Sequence, residues 1–156
     1  MLVLGVDPGS RVTGYGLIEK DRNQMTCIQV GVINPPSQAP FFERIHHIFQ
    51  SMLDIMSDYQ PQELAIEDVF FAKNVKSSLK LGHARGAVLV AAVESGLRIF
   101  EYSPLEIKKS TVGYGRASKE QVRSMVKAIL NLKTEPLLDA SDALATAICH
   151  LNWKRF

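Results

Sequence analysis

The chain has 156 residues, 46% hydrophobic and 22% charged, with a formal net charge of +2. These values fit one globular domain over residues 1–156 and exclude a disordered chain. The longest stretch without a polar side chain, Gly86 to Val93, is 8 residues, far short of the roughly 20 that a membrane span needs.

The near-neutral total hides an uneven distribution. Residues 1–72 carry 4 basic and 9 acidic side chains, whereas residues 73–123 carry 10 and 4. The basic middle reads either as a phosphate-binding surface or as solvated helix faces. The opening Met1 to Asp7 has neither the basic region nor the cleavage site of a signal peptide. Cys27 and Cys149 have no paired spacing and lie among apolar residues, the pattern of reduced thiols in a cytoplasmic protein.

Residues 2–6 form an apolar strand ended by the turn Asp7-Pro8-Gly9. Strands over 13–18 and 25–33, joined at Asp21-Arg22-Asn23, complete an antiparallel meander. A Pro-rich connection leads to an amphipathic helix over 41–58, with Phe42, Ile45, Phe49, Met52 and Met56 at helical spacing. A short strand over 64–67 follows. Residues 75–95 then read as a long helix with Val75, Leu79, Gly82, Gly86, Leu89 and Val93 on one face. A fifth strand spans 98–102, and a short helix is expected over 104–110. Ser118 and Gln121 form a capping box for a helix carrying Val122, Met125, Val126, Ile129 and Leu130. The last helix begins near Asp139. This order predicts an α/β fold: a five-stranded mixed sheet, three antiparallel strands then parallel ones, with helices on both faces.

Four carboxylates stand where a core would not place them. Asp7 and Glu67 each end an apolar strand. Asp139 and Asp142 are three residues apart on one helix face, with Leu144, Ile148 and Leu151 expected on the opposite side. Singly, each is also explained as a turn acid or a first-turn helix acid. Together they suit hard divalent ions such as Mg²⁺, which take oxygen ligands and serve phosphoryl displacement in pairs. His46, His47, His83 and His150 show no zinc spacing.

The acid pattern and element order resemble the ribonuclease H-like nucleases. The segments Val6 to Gly16, Ile66 to Phe70 with Ala72 to Asn74, Leu81 to Gly86 and Asp139 to His150 resemble the RuvC family of bacterial Holliday junction resolvases. The resemblance implies that Asp7, Glu67, Asp139 and Asp142 are metal-binding catalytic acids using Mg²⁺, two ions during cleavage, with Mn²⁺ as a substitute. It implies that Phe70 stacks on a base at the junction and that Lys108 and Lys119 hold the scissile region. It further implies a homodimer that nicks four-way junction DNA symmetrically to leave 5′-phosphate ends, working with RuvA and RuvB. Beside these, Lys73, Lys76 and Lys80 form a basic neighbourhood, and together with Asn74 and Arg85 they are expected on DNA. Leu79, Gly82, Gly86 and Leu89 are the expected dimer face, though the two glycines would equally suit packing on the chain's own sheet. An actin-like ATP-binding reading shares the Asp-x-Gly turn, but it needs two such domains and a second phosphate loop.

Overall fold

The computed structural model describes residues 1–68 and 73–153; the expectations for Phe70 and its neighbour Phe71 lie outside the described residues. The elements are β1 (Leu2–Asp7), β2 (Thr13–Asp21), β3 (Gln24–Ile33), α1 (Phe41–Tyr59), β4 (Glu63–Glu67), α2 (Val75–Glu94), β5 (Arg98–Tyr102), α3 (Pro104–Val112), α4 (Lys119–Ile129) and α5 (Leu138–Trp153). The strands form one sheet in the order β3-β2-β1-β4-β5. β1, β2 and β3 pair antiparallel, and β4 and β5 extend the sheet parallel to β1. Helices cover both faces, the ribonuclease H-like arrangement expected from the sequence.

The strand pleat sorts the core. Leu4, Val6, Leu64 and Ile66 face α1 and α2, where they meet Ile48, Met52 and Val88. Their strand neighbours Val3 and Ala65 face the opposite cluster, built by Leu144, Ile148 and Leu151 of α5 with Val122 and Val126 of α4. Alternate side chains of a strand point to opposite faces, so an apolar run of two or three residues feeds both layers. Each fully buried Leu or Ile contributes roughly 1.5–3 kcal/mol.

Three helices depart from the sequence expectation, α1 only at its start, where Phe42 is 73% exposed while Ile48, Met52 and Met56 are buried. α5 has no solvent face: every residue from Ala140 to Leu151 except Asp142 is buried. It lies between the sheet and the α3–α4 pair. Glycines on the sheet make that depth accessible, since a Cβ on Gly14 would stand 2.0 Å from the Asp139 carbonyl oxygen and one on Gly5 2.1 Å from that of Ala143. α2 is turned around. Its buried residues are Ala84, Ala87, Val88, Ala91 and Ala92, and most of the face marked by the sequence pattern points outward. Val75 is 77% exposed, Leu79 60% and Val93 69%, and a Cβ on Gly82 or Gly86 would meet nothing within 4 Å. The alternative that these glycines pack on the chain's own sheet is thereby removed. Leu89 is half-buried against the α1–α2 core. The small residues face inward because α1 packs closely there.

Among the described residues, no helix is long and apolar enough to cross a membrane. Both cysteines are free thiols, and Cys149 is buried.

Candidate active site

Asp7 ends β1 and Glu67 ends β4. The parallel pairing of these strands, with Val6 opposite Ile66, brings both acids to the carboxyl ends of two inner strands. The first turns of α5 cross the same end of the sheet, since Gly14 is the register partner of Asp7 and admits the backbone of Asp139. The turn after Asp7 is held by its own bonds. Gly9 N–H donates to Thr13 Oγ1 at 3.2 Å, the Thr13 hydroxyl donates to the Gly9 carbonyl at 2.8 Å, and Arg44 of α1 donates to the Ser10 carbonyl at 2.5 Å.

Asp7, Glu67 and Asp142 line one pocket of about 160 Å³ together with Lys108 and Lys119. Pro104, Ile107, Val122 and Thr146 complete its wall. Asp139 is not on that wall, although its charge acts on Asp7 and Asp142. Burial, then the charges of Asp142, Glu67 and Asp139, push the Asp7 carboxyl up to about 7. Burial and Asp142 also raise Glu67, with Lys119 and Lys108 pulling the other way. Burial raises Asp142 despite its pairing with Lys119. These carboxylates therefore repel one another in a partly desolvated place and favour the arrival of positive charge.

Lys119 supplies part of that charge. It is the first residue of α4, behind the Ser118–Gln121 capping box, where the helix dipole disfavours a cation. Its Nζ lies 3.1 Å from Asp142 Oδ2, and Asp142 is the main cause of its raised pKa. The side chain is 66% exposed, so it is free to exchange partners. Among the described residues, no three His, Cys, Asp or Glu side chains already form a metal-holding group. The donor chemistry nevertheless fits a hard divalent ion: the acids offer oxygen only, and their repulsion is what such an ion relieves.

The remaining expected residues separate into two groups. Lys73, Lys76 and Lys80 are exposed at the start of α2, and Lys80 Nζ lies 5.7 Å from the centroid of the Phe41 ring. Asn74 is also exposed, but its side chain caps α2, accepting from Lys76 N at 2.9 Å and Ser77 N at 3.2 Å. Arg85 differs from expectation in being held within the chain. Its guanidinium pairs with Glu101, and its Nε donates to the Glu67 carbonyl at 3.4 Å. It thus braces the end of β4 instead of reaching outward. The sequence reading missed Thr146, whose position four residues after Asp142 already placed it on the acid face of α5.

A family model described as "Crossover junction endodeoxyribonuclease RuvC" matches residues 3–150. The chain belongs to the RuvC family. The RuvC of Geobacter metallireducens is 49% identical over 152 residues, covering 97% of this chain and 93% of that protein. The RuvC of Citrifermentans bemidjiense is 51% identical over 150 residues, covering 96% and 92%. Among solved structures, Thermus thermophilus RuvC in complex with Holliday junction substrate superposes with a TM-score of 0.93 at 36% identity, covering 99% of this chain and 95% of that one. The yeast mitochondrial Holliday junction resolvase Ydc2 shares the RuvC fold at a TM-score of 0.65 and 15% identity, covering 97% and 79%.

Proposed function

We propose that this chain is a single nuclease domain that resolves Holliday junctions by divalent-metal-dependent cutting of two strands. The observation that carries this reading is the pocket in which Asp7, Glu67 and Asp142 meet Lys108 and Lys119. Asp7, Glu67, Asp139 and Asp142 present oxygens to Mg²⁺, with Mn²⁺ as a substitute. When bound, the metal supplies a Lewis acid and an activated water for in-line displacement at phosphorus. Lys119 moves from Asp142 to the scissile phosphate, and Lys108 holds the same strand from α3. The Thr146 hydroxyl donates to the Asp142 backbone carbonyl at 2.9 Å and braces the turn that carries this acid.

Phe70 serves as the stacking residue at the junction, flanked by Lys73, Lys76 and Lys80 on phosphates. The outward apolar face of α2 joins two copies, which gives two pockets for two symmetric cuts. RuvA and RuvB are the partners that deliver the junction, in the cytoplasm. Leu79→Arg is expected to shift the protein to monomer in sedimentation.

The test is incubation with a synthetic four-way junction and a linear duplex of the same sequence, with and without Mg²⁺. Paired nicks in the junction alone, only with Mg²⁺ and with 5′-phosphate ends, are expected. Tight junction binding without cleavage in Mg²⁺ or Mn²⁺ would reduce the reading to a binding module.

A further inference from the structure

A second polar cluster lies deep in the same α5–β4 interface. Glu63, at the start of β4, and His150 of α5 are both 0% exposed. His150 Nε2 is 2.5 Å from Glu63 Oε2, and its Nδ1 is 2.6 Å from the Tyr102 hydroxyl. Arg98 reaches the other Glu63 oxygen at 2.5 Å. Burial pushes the Tyr102 phenol up to about 12, which keeps its proton on oxygen as a donor. Tyr102 is also the register partner of Glu67, and its carbonyl accepts from Asp68 N–H at 2.8 Å.

The spacing ties this cluster to the acids. Glu63 and Glu67 are four residues apart on one face of β4, about 13 Å at strand rise. Asp142 and His150 are eight residues apart, about 12 Å along the helix. The two elements therefore meet at matched points: Glu67 with Asp142 in the pocket, Glu63 with His150 in the core. Thr146 lies midway on α5. Apolar contacts alone permit a helix to slide or turn on a sheet, whereas a directional bond at a fixed distance sets its register.

We propose that Glu63, His150 and Tyr102 are positioning residues that lock the register of α5 on β4 and β5, and so hold Asp142 at the correct distance from Glu67. This rests on the reading of Glu67 and Asp142 as the metal-binding acids. The network acts through those carboxylates and does not touch DNA or metal.

The test is the double variant Glu63→Leu/His150→Phe beside the single variant Tyr102→Phe. Replacing a buried polar pair by apolar groups of similar volume often leaves stability nearly unchanged. Four quantities are measured: the melting temperature, Mn²⁺ binding to the DNA-free protein by electron paramagnetic resonance, junction affinity in EDTA, and single-turnover cleavage of a synthetic four-way junction at saturating protein. In the double variant, Mn²⁺ affinity and cleavage rate are expected to fall about 10-fold or more at a temperature well below melting, as for other groups that orient metal ligands. Junction affinity in EDTA should change less than about twofold, because phosphate contacts dominate binding. Tyr102→Phe should show the same pattern at about threefold, below the roughly 10-fold typical of losing a direct partner of a metal ligand, because the Glu63–His150 bond remains. A folded double variant with parental Mn²⁺ affinity and cleavage rate would overturn the proposal. If the double variant does not fold, parental values for Tyr102→Phe would overturn it equally. If the parent protein binds Mn²⁺ but cuts no junction, the proposed substrate is wrong, and Mn²⁺ affinity alone decides the positioning role.

Discussion

The two ends of β4 carry the same residue on the same face and treat it in opposite ways. Glu63 is fully buried, and its two oxygens are met by His150 and Arg98. Glu67 stands at a pocket with Asp7 and Asp142, where the exposed lysine Lys119 pairs with Asp142 and Lys108 lines the wall. A buried carboxylate whose partners come from the same chain is a structural element, because removing one partner strands the other. Carboxylates gathered without enough internal cations are a site waiting for charge from outside. The contrast separates a fastening from a reaction centre in one short strand.

This contrast can be broken at either end. The largest expected effect is on chemistry: Asp7→Asn should keep junction binding while single-turnover cleavage falls by about 10³-fold; normal cutting would remove Asp7 from the active centre. The same carboxyl governs a pH dependence. Its pKa rises from 3.8 to about 7 on folding, so the folded state binds that proton more tightly. Stability of the metal-free protein should therefore decline as pH rises from about 4 to about 7 and level off above. Melting curves across that range should flatten in Asp7→Asn, and Mg²⁺ should stabilise the parent most above pH 7.

Next come the two glutamates. Glu63→Ala should cost about 3 kcal/mol in denaturant unfolding, whereas Glu67→Ala should cost little or even stabilise the metal-free protein. Equal losses at both positions would erase the distinction between the two ends. Lys119→Met should slow single-turnover cleavage by about 10²-fold, yet change stability by less than about 1 kcal/mol because the pair is exposed. An unchanged rate would leave Lys119 a mere counter-ion. The smallest effect concerns α2. Gly82→Ala should raise the stability of the dilute monomer by about 1 kcal/mol through helix propensity, and weaken self-association if a second helix passes over that position. Sedimentation and melting on the same samples distinguish the two effects.

Much of the molecule was legible in the chain itself. Strand runs ending in Asp7 and Glu67, the capping box at Ser118 and the apolar spacing of α1 reflect local rules, so their elements and order follow from composition and periodicity. The proximity of Asp7 to Glu67 was also legible, because two strands of one parallel pair end together. Other features were not local. α5 and α2 are both rich in small and apolar residues, and neither pattern says which face meets the sheet. Only tertiary packing decided that α5 is buried from Ala140 to Leu151 except at Asp142, that α2 turns its alanines inward and presents Val75, Leu79 and Val93 to solvent, and that Arg85 is taken up by Glu101 and the Glu67 carbonyl. The same holds for Glu63 and His150. They are 87 residues apart, and no periodicity reaches that far. The sequence by itself determined which side chains could carry charge and which segments could form helices and strands. The tertiary structure decided which charges are neutralised within the chain and which are left for a ligand, because that depends on side chains brought together only when the sheet and α5 close on each other.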